Sequence, residues 1–164
     1  MKLKFFIPII PLSYGLLFSG QTVPDFKLKD ANNNWTKFSE IKGNNLTVID
    51  FWATWCSPCM KAIPKLNKIY DIYKENGVQF IGLNMDSPRN AAKIKPFINA
   101  HNIQYPVLKD PDGTVTSRLN ITSIPVLLIV NKNGEIVFRH LGYRSGDEKI
   151  IEEKIKKLLF EEDM

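Results

Sequence analysis

The chain has 164 residues, 44% of them apolar, which fits one folded domain and argues against a disordered chain. Its formal charge is +5, and +3 once the first twenty residues are set aside. That charge is mild and no basic stripe carries interleaved aromatics, so a nucleic-acid partner is not expected.

The first twenty residues read as a targeting segment. Lys2 and Lys4 precede an uncharged, mostly apolar run at residues 5–18, and Ser19 and Gly20 supply small residues after it. As a helix the run would reach about 21 Å, short of the roughly 30 Å hydrocarbon core of a bilayer. Pro8 and Pro11 weaken a spanning helix further. A cleaved signal peptide over 1–20 is the first expectation. An uncleaved N-terminal anchor is the rival, because no Ala-x-Ala site closes the run. Either places the domain, residues 21–164, outside the cytoplasm, where disulfide chemistry persists.

Residues 26–28 and 35–38 flank Asp30-Ala31-Asn32-Asn33-Asn34, the pattern of a β-hairpin. A loop through Gly43 leads to a continuous apolar strand, Leu46 to Trp52. A helix follows Cys56, with Cys59, Ile63, Leu66, Tyr70 and Tyr73 at helical spacing and Asn76-Gly77 ending it. Strand 78–84 comes next, so the unit is a right-handed parallel crossover. Ser87-Pro88 opens a second helix, with Ser87 expected as N-cap and Pro96 as the site of a kink or a late start. Val107-Leu108 is a short strand and 114–119 a helical turn. Strands 126–130 and 136–141 flank Asn133-Gly134 as a hairpin, and a helix covers about 147–160. The acidic end at Glu161, Glu162 and Asp163 reads as a solvated terminus.

The two cysteines, Cys56 and Cys59, are the only ones in the chain, and they stand at the strand-to-helix junction. At a helix N-terminus the unpaired amides and the helix dipole stabilise a thiolate at Cys56, the species that attacks disulfides. A thiol one turn further on closes a short ring with it and expels the product. Zinc would need more ligands than this chain groups together, since His101 and His140 are isolated. Haem attachment would need His where Met60 stands. A structural bridge remains as an alternative, although such bridges stabilise most when they close long loops. Ser57 and Pro58 separate the thiols, and Pro58 stiffens the first turn, which makes both candidates for tuning the redox potential. Asp50 is the other unusual residue, a carboxylate in an interior-looking strand, costly there unless protonated or paired. Its plain reading is an outward-facing acid or a structural one hydrogen-bonded locally.

Phe51-Trp52-Ala53-Thr54-Trp55-Cys56-Ser57-Pro58-Cys59 resembles the active-site signature of the thioredoxin superfamily, in the form of its TlpA/ResA-like extracytoplasmic branch. Pro64 falls where that family kinks the helix, Ile124-Pro125 where it carries a cis-proline, and Val23-Pro24-Asp25-Phe26 resembles the branch's N-terminal extension. The resemblance implies a thioredoxin-like α/β fold, a central mixed sheet flanked by helices with an N-terminal β-hairpin extension. It also implies a thiol–disulfide oxidoreductase whose only redox group is the Cys56–Cys59 pair, with no metal and no other cofactor.

In thioredoxins proper an Asp at the position of Asp50 lies beneath the buried cysteine and handles its proton. Many TlpA-like relatives carry Asn there and Glu three residues after the second cysteine, where this chain has Ala62. Asp50 is therefore expected to take the proton-transfer role, beside Cys56 as exposed nucleophile and Cys59 as buried resolving thiol. Trp55, Ile124 and Pro125 are expected to bind substrate, Trp55 having the alternative of capping the disulfide. The branch implies protein thiol or disulfide substrates, among them apocytochrome c, a membrane electron donor, and a monomer acting as reductant. Two other classes fit less well. A thiol peroxidase would carry Thr where Ala53 stands, and a Sco-like copper carrier would separate its cysteines by one more residue.

Overall fold

The computed structural model describes residues 20–162; residues 1–19, which carry nearly all of the segment expected over 1–20 to be a signal peptide or anchor, and the last two residues lie outside them. Seven strands form one mixed sheet in the order β2-β1-β5-β4-β3-β6-β7. Its centre is β3 (Leu46–Trp52), parallel to β4 (Val78–Asn84) and antiparallel to β6 (Val126–Asn131). Every residue of β3 is buried, as suits a mostly apolar strand covered on both faces, and this includes Thr47 and Asp50. β5 (Val107–Lys109) runs parallel to β4, and β7 (Ile136–Leu141) closes the far edge beside β6. The N-terminal hairpin, β1 (Lys27–Asp30) and β2 (Trp35–Lys37), extends the sheet by pairing β1 antiparallel to β5.

Alternation along β3 sorts its side chains into two cores. Ile49 and Phe51 pack with Phe26, Phe38, Leu83, Leu108 and Leu128. Leu46, Val48 and Trp52 face the other way, against Cys59, Ala62, Ile63 and Leu66 of α2 (Ser57–Tyr73) and Ile151 and Ile155 of α5 (Asp147–Glu162). Asp50, two residues from both Val48 and Trp52, shares that second face. α2 gives way after Tyr73 to a 3₁₀ turn, Lys74–Asn76, which Gly77 ends in the left-handed conformation at φ 74°, where Asn76-Gly77 is expected to end the helix.

Two local features depart from the sequence reading, the start of α1 and the missing Ser87 cap, while the helical turn at 114 stands. Phe38 begins a short helix, α1 (Phe38–Ile41), instead of ending the hairpin, because its ring stacks on Phe26 at 5.1 Å. Ser87 makes no side-chain cap. Pro88–Asn90 form a 3₁₀ turn, and α3 (Ala91–Ala100) starts after it and carries Pro96 in its interior. The helical turn at 114 is α4 (Thr114–Arg118).

Gly82 of β4 lies opposite Asp50 in register. A Cβ there would come within 2.9 Å of Trp52 Nε1 and 3.3 Å of Tyr105 Cε2. The missing side chain leaves the space at Gly82 to the edges of two large rings. Gly82→Ala should therefore destabilise the protein by about 1–3 kcal/mol, the range for overpacking a dense core. Denaturant unfolding with an unchanged m-value checks this.

Candidate active site

The sequence turns from β3 into α2 through Ala53-Thr54-Trp55, and the turn is held from outside. Asp86, just past the end of β4 and itself buried, accepts from the Thr54 amide and the Thr54 hydroxyl, both at 2.8 Å. Asn84 Nδ2 fixes the same carboxylate at 2.8 Å. The Cys56 amide donates to Ala53 O at 3.1 Å. This clamp delivers Cys56 to the N-cap of α2.

Cys56 and Cys59 are joined in a disulfide. Cys56 Sγ accepts from the Cys59 amide at 3.3 Å, the bond an N-cap side chain makes to the third helical residue. Pro58 occupies the second helical position and has no N–H, so the Cys59 amide is the first donor past Ser57 that can reach the sulfur. The helix behind it is 17 residues long. Its dipole and this amide act on Cys56, the first of the two sulfurs. One expectation needs correcting: Cys56 is not exposed. In the disulfide it is 4% exposed and Cys59 1%, because the bond folds both sulfurs against the α2 face of the core. Ser57 and Pro58 lie exposed above them.

Asp50 is 2% exposed. It shares a small cavity with Ala62, one turn beyond Cys59 on the same helix face. Burial pushes its carboxyl up to about 7, against a smaller lowering by the Tyr105 hydroxyl, which donates to Oδ2 at 3.3 Å. The Tyr105 hydroxyl is held well above its ordinary range by burial and by Asp50. The alternative of an outward-facing acid is thus overturned.

Ile124-Pro125 is a cis peptide at the start of β6. Pro125 is buried and lines the Asp50 cavity, with its carbonyl accepting from the Gly142 amide at 2.8 Å; Ile124 is half-buried. Trp55 is 64% exposed and does not cap the disulfide. It lines an apolar groove with Pro96, Phe97 and Ala100 of α3. Among the described residues, no group of three or more His, Cys, Asp or Glu side chains is arranged to hold a metal ion.

Sequence reading missed Asp86, Tyr105 and Gly82. Asp86 had one signal, an acid directly after a buried parallel strand, where sites collect at carboxyl ends. Tyr105 had none, since it meets Asp50 across 55 positions of sequence from an irregular segment.

Residues 19–139 match the AhpC/TSA family. The chain belongs to that family. It is 31% identical over 117 residues to the thiol-disulfide oxidoreductase ResA of Geobacillus kaustophilus, covering 71% of this chain and 66% of that one. It is 29% identical over 139 residues to the ResA of Bacillus thuringiensis, covering 85% and 78%. Among solved structures, a candidate thiol:disulfide interchange protein DsbE from Chlorobium tepidum superposes with a TM-score of 0.77 at 28% identity, over 85% of this chain and 96% of that one. With its thioredoxin-like fold and its paired Cys56 and Cys59, the chain is a thiol–disulfide oxidoreductase.

The raised Asp50 pKa has a signed consequence for stability. Between about pH 4 and 7 the folded protein keeps a proton that the unfolded chain has lost, so stability falls as pH rises through this window. Asp50→Asn keeps an acceptor for Tyr105 and removes the charge. The oxidised variant should be more stable than the parent at pH 8, by on the order of 4 kcal/mol at most, and equal to it near pH 4. Denaturation midpoints across that pH range check this.

Proposed function

We propose that the protein reduces disulfides of other proteins outside the cytoplasm, with Cys56 attacking, Cys59 resolving and Asp50 serving as the base. The observation that carries this reading is the placement of Cys56 Sγ at the head of α2, held by the Cys59 amide. In the reduced protein the same amide and dipole favour the Cys56 thiolate. The thiolate attacks a substrate disulfide, forming a Cys56–substrate bond and releasing one substrate thiolate. Cys59 then loses its proton to Asp50, attacks Cys56 Sγ and releases the second thiolate. A carboxylate whose pKa sits near 7 is matched to that transfer at neutral pH.

We assign Trp55, which is exposed beside Cys56 in sequence, and Ile124 and Pro125 of the cis peptide to substrate contact. The edge offered by Ile124 suits an extended substrate segment that pairs backbone to backbone. Ser57 and Pro58 set the thiolate's surroundings and hence the potential. The Cys56–Cys59 pair is the redox group, with no further cofactor in this scheme. The basic and apolar N-terminal segment supports an extracytoplasmic site, by secretion or anchoring. Resemblance to the TlpA/ResA-like branch supports cytochrome c maturation, with the haem-site cysteines of apocytochrome c as substrate, a membrane donor restoring the dithiol, and a monomeric enzyme.

AhpC/TSA membership raises the peroxidase reading, but Ala53 stands where a peroxidatic motif has Thr. Insulin disulfides should be reduced catalytically with dithiothreitol as donor, and peroxide turnover should stay at the rate of the free donor; the reverse pattern would refute the proposal. Iodoacetamide should label Cys56 of the reduced protein at least about tenfold faster than Cys59. Cys59→Ser should accumulate mixed disulfides through Cys56, and labelling led by Cys59 would reverse the two assignments.

A further inference from the structure

If Asp50 accepts a proton in every turnover, it must also release one, and it stands in a site nearly closed to solvent. The sheet register indicates where. Asp50 of β3 lies opposite Leu127 of β6, and Leu127 lies opposite His140 of β7. Directly opposed residues point to the same face, so the three form one row on the face that α2 and α5 cover. Packing over that row leaves a cavity of about 10 Å³, lined by Asp50, Ala62, Pro125, His140 and Tyr143 together with Ile151 of α5. That is room for one water molecule.

The groups around this cavity leave one open path. Tyr105 occupies Asp50 Oδ2 from the β5 side, so Oδ1 is the oxygen left for a further partner. α2 contributes Ala62 and Leu66 to the lining, neither of which titrates. The Tyr143 hydroxyl donates to Glu148 at 2.8 Å, and burial and Glu148 hold its pKa up, which removes it as a carrier at neutral pH. His140 is different. Its Nε2 lies 3.0 Å from Asp147 Oδ2, and both side chains are partly open to solvent, 17% and 19%. Asp147 is held ionised by the Arg144 amide and by His140. In the tautomer whose Nε2–H donates to Asp147, Nδ1 carries the ring's free lone pair.

We propose that His140 is the proton exit of the buried site, taking the Asp50 proton through a single water in this cavity and passing it to solvent beside Asp147. The inference rests on Asp50 being the base. The balance is simple. Cys59 Sγ–H gives its proton to Asp50, the new thiolate forms the Cys56–Cys59 bond and breaks the Cys56–substrate bond, and the electron pair leaves on the substrate sulfur. The proton then moves from Asp50 through water and His140 to solvent, where the departing thiolate takes up its equivalent. His140 touches neither sulfur and is a positioning and relay residue for Asp50.

Ellman's reagent separates the steps, because attack by Cys56 releases the first aromatic thiolate and attack by Cys59 the second. His140→Ala should slow the second phase at least about tenfold at neutral pH, leave the first unchanged, and recover with added imidazole. His140→Gln, closer in volume, should show the same slow second phase. Asp50→Asn should slow the second phase without responding to imidazole. A second phase unchanged in both His140 variants would overturn the exit, as would equal slowing of both phases with no imidazole response. If Asp50→Asn alone is slow, only the exit fails; if the second phase is normal in Asp50→Asn as well, the base assignment falls with it.

Discussion

The site depends on one costly placement, a carboxyl group in the middle of the central strand. Asp50 is covered by α2 and α5, faces Gly82 on one side and Leu127 on the other, and has the Tyr105 hydroxyl as its polar partner. An isolated charge there is disfavoured strongly enough to move the group's titration into the neutral range. Much of the surrounding structure follows from accommodating it. Gly82 lacks a side chain where Trp52 and Tyr105 both approach, and Tyr105 reaches in from the β5 side to supply the hydrogen bond. The strand tolerates this weak point because the residues on either side of it are fully buried and apolar.

Two electrostatic devices of opposite kind then sit close together. At Cys56 the fold concentrates donors: a helix head, the Cys59 amide and a turn pinned by Asp86. These favour negative charge on sulfur. At Asp50 the fold withdraws solvent and donors, which disfavours negative charge on oxygen until pH approaches 7. In the proposed scheme that carboxylate takes the Cys59 proton as the second thiol attacks. That pairing of a stabilised thiolate with a poised carboxyl is what a two-cysteine exchange requires.

Most of the fold was legible because its signals are local. β3 and β4 begin and end where the apolar runs do, Gly77 closes the 3₁₀ turn after α2, and Asn133-Gly134 turns β6 into β7 with Gly134 at φ 86°. The cysteine motif fixed the head of α2 for the same reason. α1 was not legible, since it depends on Phe38 finding Phe26 across the hairpin. The burial of Cys56 was not legible either, because a motif specifies the order of two thiols along a helix and not how the loop before them packs. At the site, Asp50 announced itself as a charge in an apolar strand. Tyr105, Asp86 and His140 did not, because each acquires its role from a partner strand or loop that only the assembled sheet brings near.

The account stands most directly on the ionisation of Asp50 in the oxidised protein, where no thiol titrates. Following its carboxyl carbon by NMR through a pH titration measures this without a change of sequence. A midpoint near 7 is the predicted result. A midpoint near the ordinary 3.8 would mean that the carboxylate is solvated or paired in solution, and would contradict both the buried base and the proton path built on it.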